Sequence, residues 1–217
     1  TIFSMANQIN TQSPLLVLAS KSPRRIELIR SSWPHSFAIK PSNEKEDEPN
    51  KNESVQSYTS RIALEKAKAI SNNEYPNRFF VGADTAVSVD GSILLKPSSE
   101  FDALKMLDKL RDRVHIVSTS ISITSMLINQ PIIVSKTTRV EFRNYTDDEI
   151  NRYVSTGAPF DKSGGYAIQD RRFKPATKID GCYLNVVGLP ICALKEQIDK
   201  ISPDYAKSIK LLSCNDC

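Results

Sequence analysis

The sequence predicts an α/β fold, one large mixed β-sheet covered by helices. Two observations carry that expectation. Segments with helical apolar spacing and segments with strand patterning follow one another without the strict alternation of an all-parallel β/α repeat. One β-hairpin is also plain, because two apolar runs flank Asp90-Gly91, a dipeptide that tight primed turns favour.

The elements follow in order. "PLLVLAS" (14–20) reads as a buried strand, being a run of Leu and Val. Ser22 and Pro23 then mark a helix entry, since Ser suits the N-cap and Pro the first helical position. "PSNEKEDEPNKN" (41–52) is a polar, mostly acidic loop. A helix is expected from about Glu53 to Ser71, closed by "NNEYPN". The hairpin "RFFVGADTAVSVDGSILLKP" comes next. Ser99 with Asp102 resembles a capping box and opens a helix to about Arg111. "VHIVSTSISI" alternates, with Ser118, Ser120 and Ser122 on one face and Val117, Thr119, Ile121 and Ile123 on the other, which marks a strand. "PIIVSKTTRVEF" is another. Thr146 and Glu149 form a second capping box, and Gly157 ends that helix. "DKSGGYAIQDRRFKPATK" reads as loop outside the core, "GCYLNVVG" as a strand, and Pro190 as the start of a closing helix.

Composition limits the function classes. The 217 residues are about the size of one domain, and a 40% hydrophobic content can bury a core. The net charge is only +4, and no basic run exceeds a few residues, so neither nucleic-acid nor membrane-surface binding is indicated. No apolar stretch approaches the ~20 residues that span a bilayer. The opening "TIFSMANQINTQ" lacks the basic and apolar regions of a signal peptide and is set aside from fold reasoning. The four cysteines include one lone CxxC, Cys214 and Cys217, with no second pair and no nearby histidine for zinc. A reduced, cytoplasmic location is the expectation.

Three places suggest chemistry. Lys21, Arg24 and Arg25 crowd the junction of a strand and a helix N-terminus, where unpaired N–H groups and the helix dipole favour anions. The junction lacks the glycines of a P-loop. Arg24 paired with Glu27 on an exposed helix start is the alternative. Lys66 falls at the centre of the apolar stripe Val55, Tyr58, Ile62, Ala69 and Ile70, so its ammonium either snorkels or reaches a carboxylate or a ligand phosphate. Asp84 sits inside "FFVGADTAVSV", where an ionised carboxylate needs a partner, a metal or a cleft. A two-residue hairpin loop would set Val89 opposite Ser92 and Thr85 opposite Lys96, bringing a carboxylate, a hydroxyl and an ammonium together; an Asp84–Lys96 ion pair is the structural alternative. His115 reads as a structural histidine and Glu44 as a loop residue, while Gln169 follows a Gly-Gly pair in a loop. An anion site, inward lysines and a buried acid together suit metal- or base-assisted chemistry on a phosphate ester.

"LASKSPRRIELI", "EKAKAI", "VGADTAV", "LLKP", "DKSGGYAIQ" and "KIDGCYLNVVGLP" together resemble the Maf family of nucleotide pyrophosphatases. The resemblance runs over about residues 15–195. It implies a single domain over 14–201, with terminal extensions at 1–13 and 202–217. The implied fold is elongated and like that of inosine triphosphate pyrophosphatases, with two lobes and a central cleft. It also implies a cytoplasmic, house-cleaning homodimer that cleaves a nucleoside triphosphate to monophosphate and pyrophosphate with a divalent metal, Mg²⁺ or Mn²⁺. By that resemblance Asp84 is the proton acceptor. Glu44, from "PSNE", shares metal handling with it, and Arg24, Arg25, Lys66 and Lys96 hold the triphosphate. Arg24, Thr85 and Gln169 resemble the subgroup acting on dTTP and UTP. A non-catalytic nucleotide-binding regulator of cell division is the rival.

Overall fold

The computed structural model describes residues 16–43, 46–71 and 78–212. The closing segment "NNEYPN" and the Cys214/Cys217 pair lie outside them. Strand β1 (Leu16–Leu18) leads into helix α1 (Pro23–Ser32), then strand β2 (Phe37–Ile39) and helix α2 (Val55–Ile70). The hairpin is β3 (Phe79–Val89) and β4 (Ser92–Leu94), followed by α3 (Glu100–Leu110), β5 (Val114–Thr124) and β6 (Ile132–Phe142). Helix α4 (Asp147–Val154), two short 3₁₀ turns, β7 (Ala176–Asp180), α5 (Tyr183–Val187), α6 (Ile191–Ile201) and α7 (Pro203–Ser208) complete the chain. No helix among the described residues is long and apolar enough to cross a membrane.

The strands form one mixed sheet in the order β2-β1-β3-β5-β6-β7, with β4 on β3. β2, β1 and β3 are parallel, and the remaining pairs are antiparallel. The hairpin turn is as expected: Val89 pairs with Ser92, and Asp90 and Gly91 both take positive φ, the requirement of a type I′ turn.

Strand alternation divides the core. Odd-numbered β3 residues such as Val81 and Ala83 pack with α1 and α6 through Leu28, Ile29, Leu194 and Ile198. Farther along, Val87 and Val89 join Leu107, Val140, Phe142 and Tyr145. Even-numbered β3 residues face α2, where Ala86 meets Tyr58 and Ile62. The serine face of β5 is likewise buried under α2, and Thr59 and Ser60 bond Ser120 at 2.7 and 3.1 Å. The helices begin largely where expected. Ser54 and Ser99 each cap a backbone N–H, and Thr146 with Glu149 makes the full reciprocal box. Asp102 turns to Ser98 instead of closing its box, and Ser22 holds the N-cap position without a side-chain cap.

Four expectations are corrected. "GCYLNVVG" is not a strand: Gly181 and Gly188, both at positive φ, bracket a helical turn, while the strand is the preceding "ATKID". Its valines carry β-propensity, but the turn sends Leu184 and Val187 into the core and lets the Asn185 amide tie Val117 O and Thr138. The stretch from Asp161 is not outside the core, since Gly164, Gly165, Tyr166 and Phe173 are buried. The ladder ends at Val87 and Leu94, so Lys96 lies beyond the strand and does not pair with Thr85. Ala69 is exposed, and the buried stripe of α2 runs through Thr59, Ala63 and Ala67, leaving Lys66 at its edge. Two elements, β2 and α7, have no counterpart in the sequence reading.

Candidate active site

The cleft begins as a gap in the sheet. On one side β3 pairs first with β1, over Phe79–Val81, and then with β4, over Val87–Val89. Between them, residues 82–86 pair with β5 alone. An unpaired strand edge leaves backbone groups that must be satisfied elsewhere. Arg25 Nη1 donates to the Ala83 carbonyl at 2.8 Å, and the Ser163 hydroxyl donates to the Thr85 carbonyl at 2.7 Å. The opening left beside this edge is a cleft of about 740 Å³.

Asp84 lies in the middle of the gap and points to the α2 side. Gly82 makes that possible. A Cβ at this position would stand 2.1 Å from Ala63 O and 2.6 Å from Ala67 N, so only glycine lets α2 lie this close. The same approach brings Lys66 Nζ to Asp84 Oδ1 at 2.7 Å, with the two side chains only 14% and 7% exposed. Burial pushes the Asp84 carboxyl above the ordinary carboxylate range, outweighing the pull of Lys66 and Arg25. Oδ2 accepts no hydrogen bond from a described residue.

Lys66 also meets Glu46 Oε1 at 2.9 Å, and Lys96 meets the same oxygen at 3.3 Å. The order is therefore Asp84–Lys66–Glu46–Lys96. Burial raises the Glu46 carboxyl, but the two lysines outweigh it and hold it at about 2. Lys96 thus pairs with Glu46, not with Asp84. Glu44 lies outside the described residues, and the carboxylate found between the lysines is Glu46, two residues on. The acidic stretch "EKEDE" offers four carboxylates, and nothing in the sequence alone selects one.

Arg25 lines the cleft but is bound largely to the protein. Besides Ala83 O, it donates to Gly188 O at 2.8 Å, Thr85 Oγ1 at 2.9 Å and Ser20 Oγ at 3.4 Å. Burial lowers its pKa while Asp84 and Glu46 raise it, and a guanidinium so placed stays charged. Thr85 is equally committed. Thr119 gives its hydroxyl proton to Asn185 O, so in the Thr85–Thr119 contact of 2.9 Å the proton belongs to Thr85. Thr85 therefore buttresses Arg25.

Arg24 points along the cleft wall to Asp161 at 3.2 Å, and not to Glu27. Lys162 holds the other Asp161 oxygen and reaches Ala158 O at 2.6 Å. Burial raises the Asp161 carboxyl, and Lys162 and Arg24 bring it below the usual range. Gln169 is exposed and lines the same cleft. His115 stands apart: it is buried, bonds Tyr166 Oη at 2.8 Å and is driven to a pKa of about 4 by burial, as a structural histidine. The roles of Asp161, Lys162 and Ser163 were not legible beforehand. "DKSGGYAIQ" entered the family resemblance as a motif, but apart from the Gly-Gly pair and Gln169 no residue in it was singled out.

A buried acid of raised pKa beside a row of cations can take a proton while negative charge is held nearby. Comparisons with known proteins agree in kind. The family described as Maf-like protein matches residues 15–201. A dTTP/UTP pyrophosphatase of Koribacter versatilis is 41% identical over 176 residues, covering 81% of this chain and 89% of the relative. One from Geobacter sp. strain M21 is 41% identical, covering 84% and 93%. Another, from Dictyoglomus thermophilum, is 34% identical, covering 86% and 95%.

Proposed function

This chain belongs to the Maf-like protein family, and on that footing we propose that it hydrolyses dTTP and UTP, ordinary or modified in the base, to the monophosphate and pyrophosphate. The observation that carries the reading is Asp84, a buried acid with one oxygen bound to Lys66 and the other open, in a cation-lined cleft.

In this reading Asp84 Oδ2 accepts a proton from water as the water oxygen bonds the α-phosphorus. The bond from that phosphorus to the oxygen bridging it to the β-phosphorus breaks, and pyrophosphate leaves with the electron pair. A carboxyl raised above the ordinary range suits general-base work, because the base must be free yet basic enough to accept the proton. Lys66, Lys96 and Arg24 hold the charge that develops on the leaving oxygens. Arg25 acts one step removed, by fixing the strand edge that carries Asp84.

The donor set fits a divalent cation, Mg²⁺ or Mn²⁺. Asp84 and Glu46 converge on one ammonium, and a cation of this kind is commonly held by one or two carboxylates plus substrate phosphates. Bound there, it would neutralise the triphosphate and polarise the phosphorus under attack. In this reading Glu46 is the second carboxylate, while Glu44, the acid the resemblance implies, lies outside the described residues. The resemblance extends the proposal to a cytoplasmic homodimer without nucleic-acid or membrane partners, and to one domain over 14–201.

The test is product analysis after incubation with dTTP, UTP and base-modified triphosphates plus Mg²⁺ or Mn²⁺. Monophosphate and pyrophosphate are expected. Orthophosphate with a diphosphate would overturn the reading, and tight binding without turnover would favour the regulator.

A further inference from the structure

We propose that the ring of Phe160 is the platform on which the pyrimidine base of the substrate stacks. The inference rests on the pyrophosphatase reading above and names a base-binding residue that the reading leaves unassigned.

Two aromatic side chains line the cleft, Phe160 and Tyr166. Tyr166 is already used. It is 6% exposed, its hydroxyl bonds His115, and its ring meets Phe142 and His115 edge-on at 4.6 and 5.4 Å. Phe160 is 36% exposed, lines the cleft and makes no ring contact with another described aromatic, so its ring is not engaged by a neighbouring ring.

The backbone that carries the ring is fixed. Gly157, at φ 74°, admits a 3₁₀ turn over Ala158–Asp161, with Pro159 buried beneath it. Lys162 closes the turn twice, through its N–H to Pro159 O at 3.1 Å and its ammonium to Ala158 O at 2.6 Å. A backbone so fixed loses little freedom on binding. Its location also suits a nucleotide. The next residue, Asp161, bonds Arg24 of the helix start, so the ring adjoins the cationic wall. Gln169 lines the same cleft, with an amide able to read a pyrimidine edge.

Stacking is tolerant of base identity because every base has a π-face. Phe160 therefore supplies affinity for the base as such, and the choice between bases falls to edge contacts.

The experiment compares dTTP, UTP and inorganic triphosphate, which has no base, on wild type, Phe160→Ala and Phe160→Trp. Phe160→Ala is expected to raise KM for dTTP and UTP together by about tenfold, the scale of one base–aromatic stack, with kcat changed far less. The inhibition constant of inorganic triphosphate should not move, and Phe160→Trp should restore KM. An unchanged KM for Phe160→Ala overturns the platform, as does an equal loss of inorganic triphosphate affinity. Calorimetric binding of dTTP and inorganic triphosphate to the same variants makes the comparison without turnover. Failure of the pyrophosphatase reading, seen as wild-type inactivity, is thereby distinguished from failure of the platform, seen as identical dTTP binding by Phe160→Ala and wild type.

Discussion

Lys66→Met separates a lysine that serves only the substrate from one that also holds the free protein together. The ammonium lies 2.7 Å from Asp84 and 2.9 Å from Glu46, and Asp84 is almost fully buried. Removing one member of a buried pair commonly costs about 3–5 kcal/mol, because the other charge is left alone. Two terms reduce that here. Methionine gains apolar contacts at the edge of the α2 stripe, and Asp84 can escape its isolation by taking a proton. A net loss of about 2–3 kcal/mol is predicted, which for a chain of this size lowers Tm by about 4–12 °C. The loss should depend on pH. Asp84 already binds its proton more tightly when folded, and more so without Lys66. Stability then falls as pH rises from the unfolded value, about 3.9, through the folded one, so the deficit shrinks toward pH 4 and is largest near neutrality. Thermal melts without nucleotide or metal, from pH 4 to 8, provide the assay. Adding Asp84→Asn to Lys66→Met should recover most of the lost Tm without recovering turnover. A Lys66→Met protein that melts like wild type at pH 7 would refute the reasoning, because the pair would then carry no structural weight.

Three further outcomes follow from the same geometry. Asp84→Asn should keep the fold, since Lys66 retains Glu46, and should cut turnover by about a hundredfold or more; near-normal kcat would remove Asp84 as the base. Arg25→Lys keeps the charge but cannot span Ala83 O, Gly188 O and Thr85 Oγ1, so a loss of about 2 kcal/mol or more is expected in a denaturant titration; unchanged stability would mean the strand edge is satisfied by other means. Gly82→Ala should cost about 3 kcal/mol by pushing α2 off the sheet, and kcat/KM should fall as Lys66 withdraws from Asp84; a normal melt and normal kinetics would contradict the close approach.

Local chemistry made much of this protein legible in its sequence. Asp90-Gly91 encodes its turn because few other pairs tolerate two positive φ values in succession. The Thr146–Glu149 box, the Ser99 cap and the alternation of β5 act over a few residues and were readable for that reason. So was the anomaly of Asp84, a carboxylate amid apolar neighbours. Other features depend on what arrives from a distance. The helical turn at 183–187 overrides the β-propensity of its valines, because Asn185 must reach β5 and β6. Arg25 resembles a phosphate-binding arginine in sequence, yet its donors serve a strand edge that exists only because β1 and β4 leave a gap on β3. Glu46 differs from its acidic neighbours only by the two lysines it meets, one from α2 and one from beyond β4. The sequence by itself determined most of the element types, the family and the acid at the centre. Only the tertiary structure decided which carboxylate, which cation and which ring share the cleft, because the pairings there join residues up to 163 positions apart.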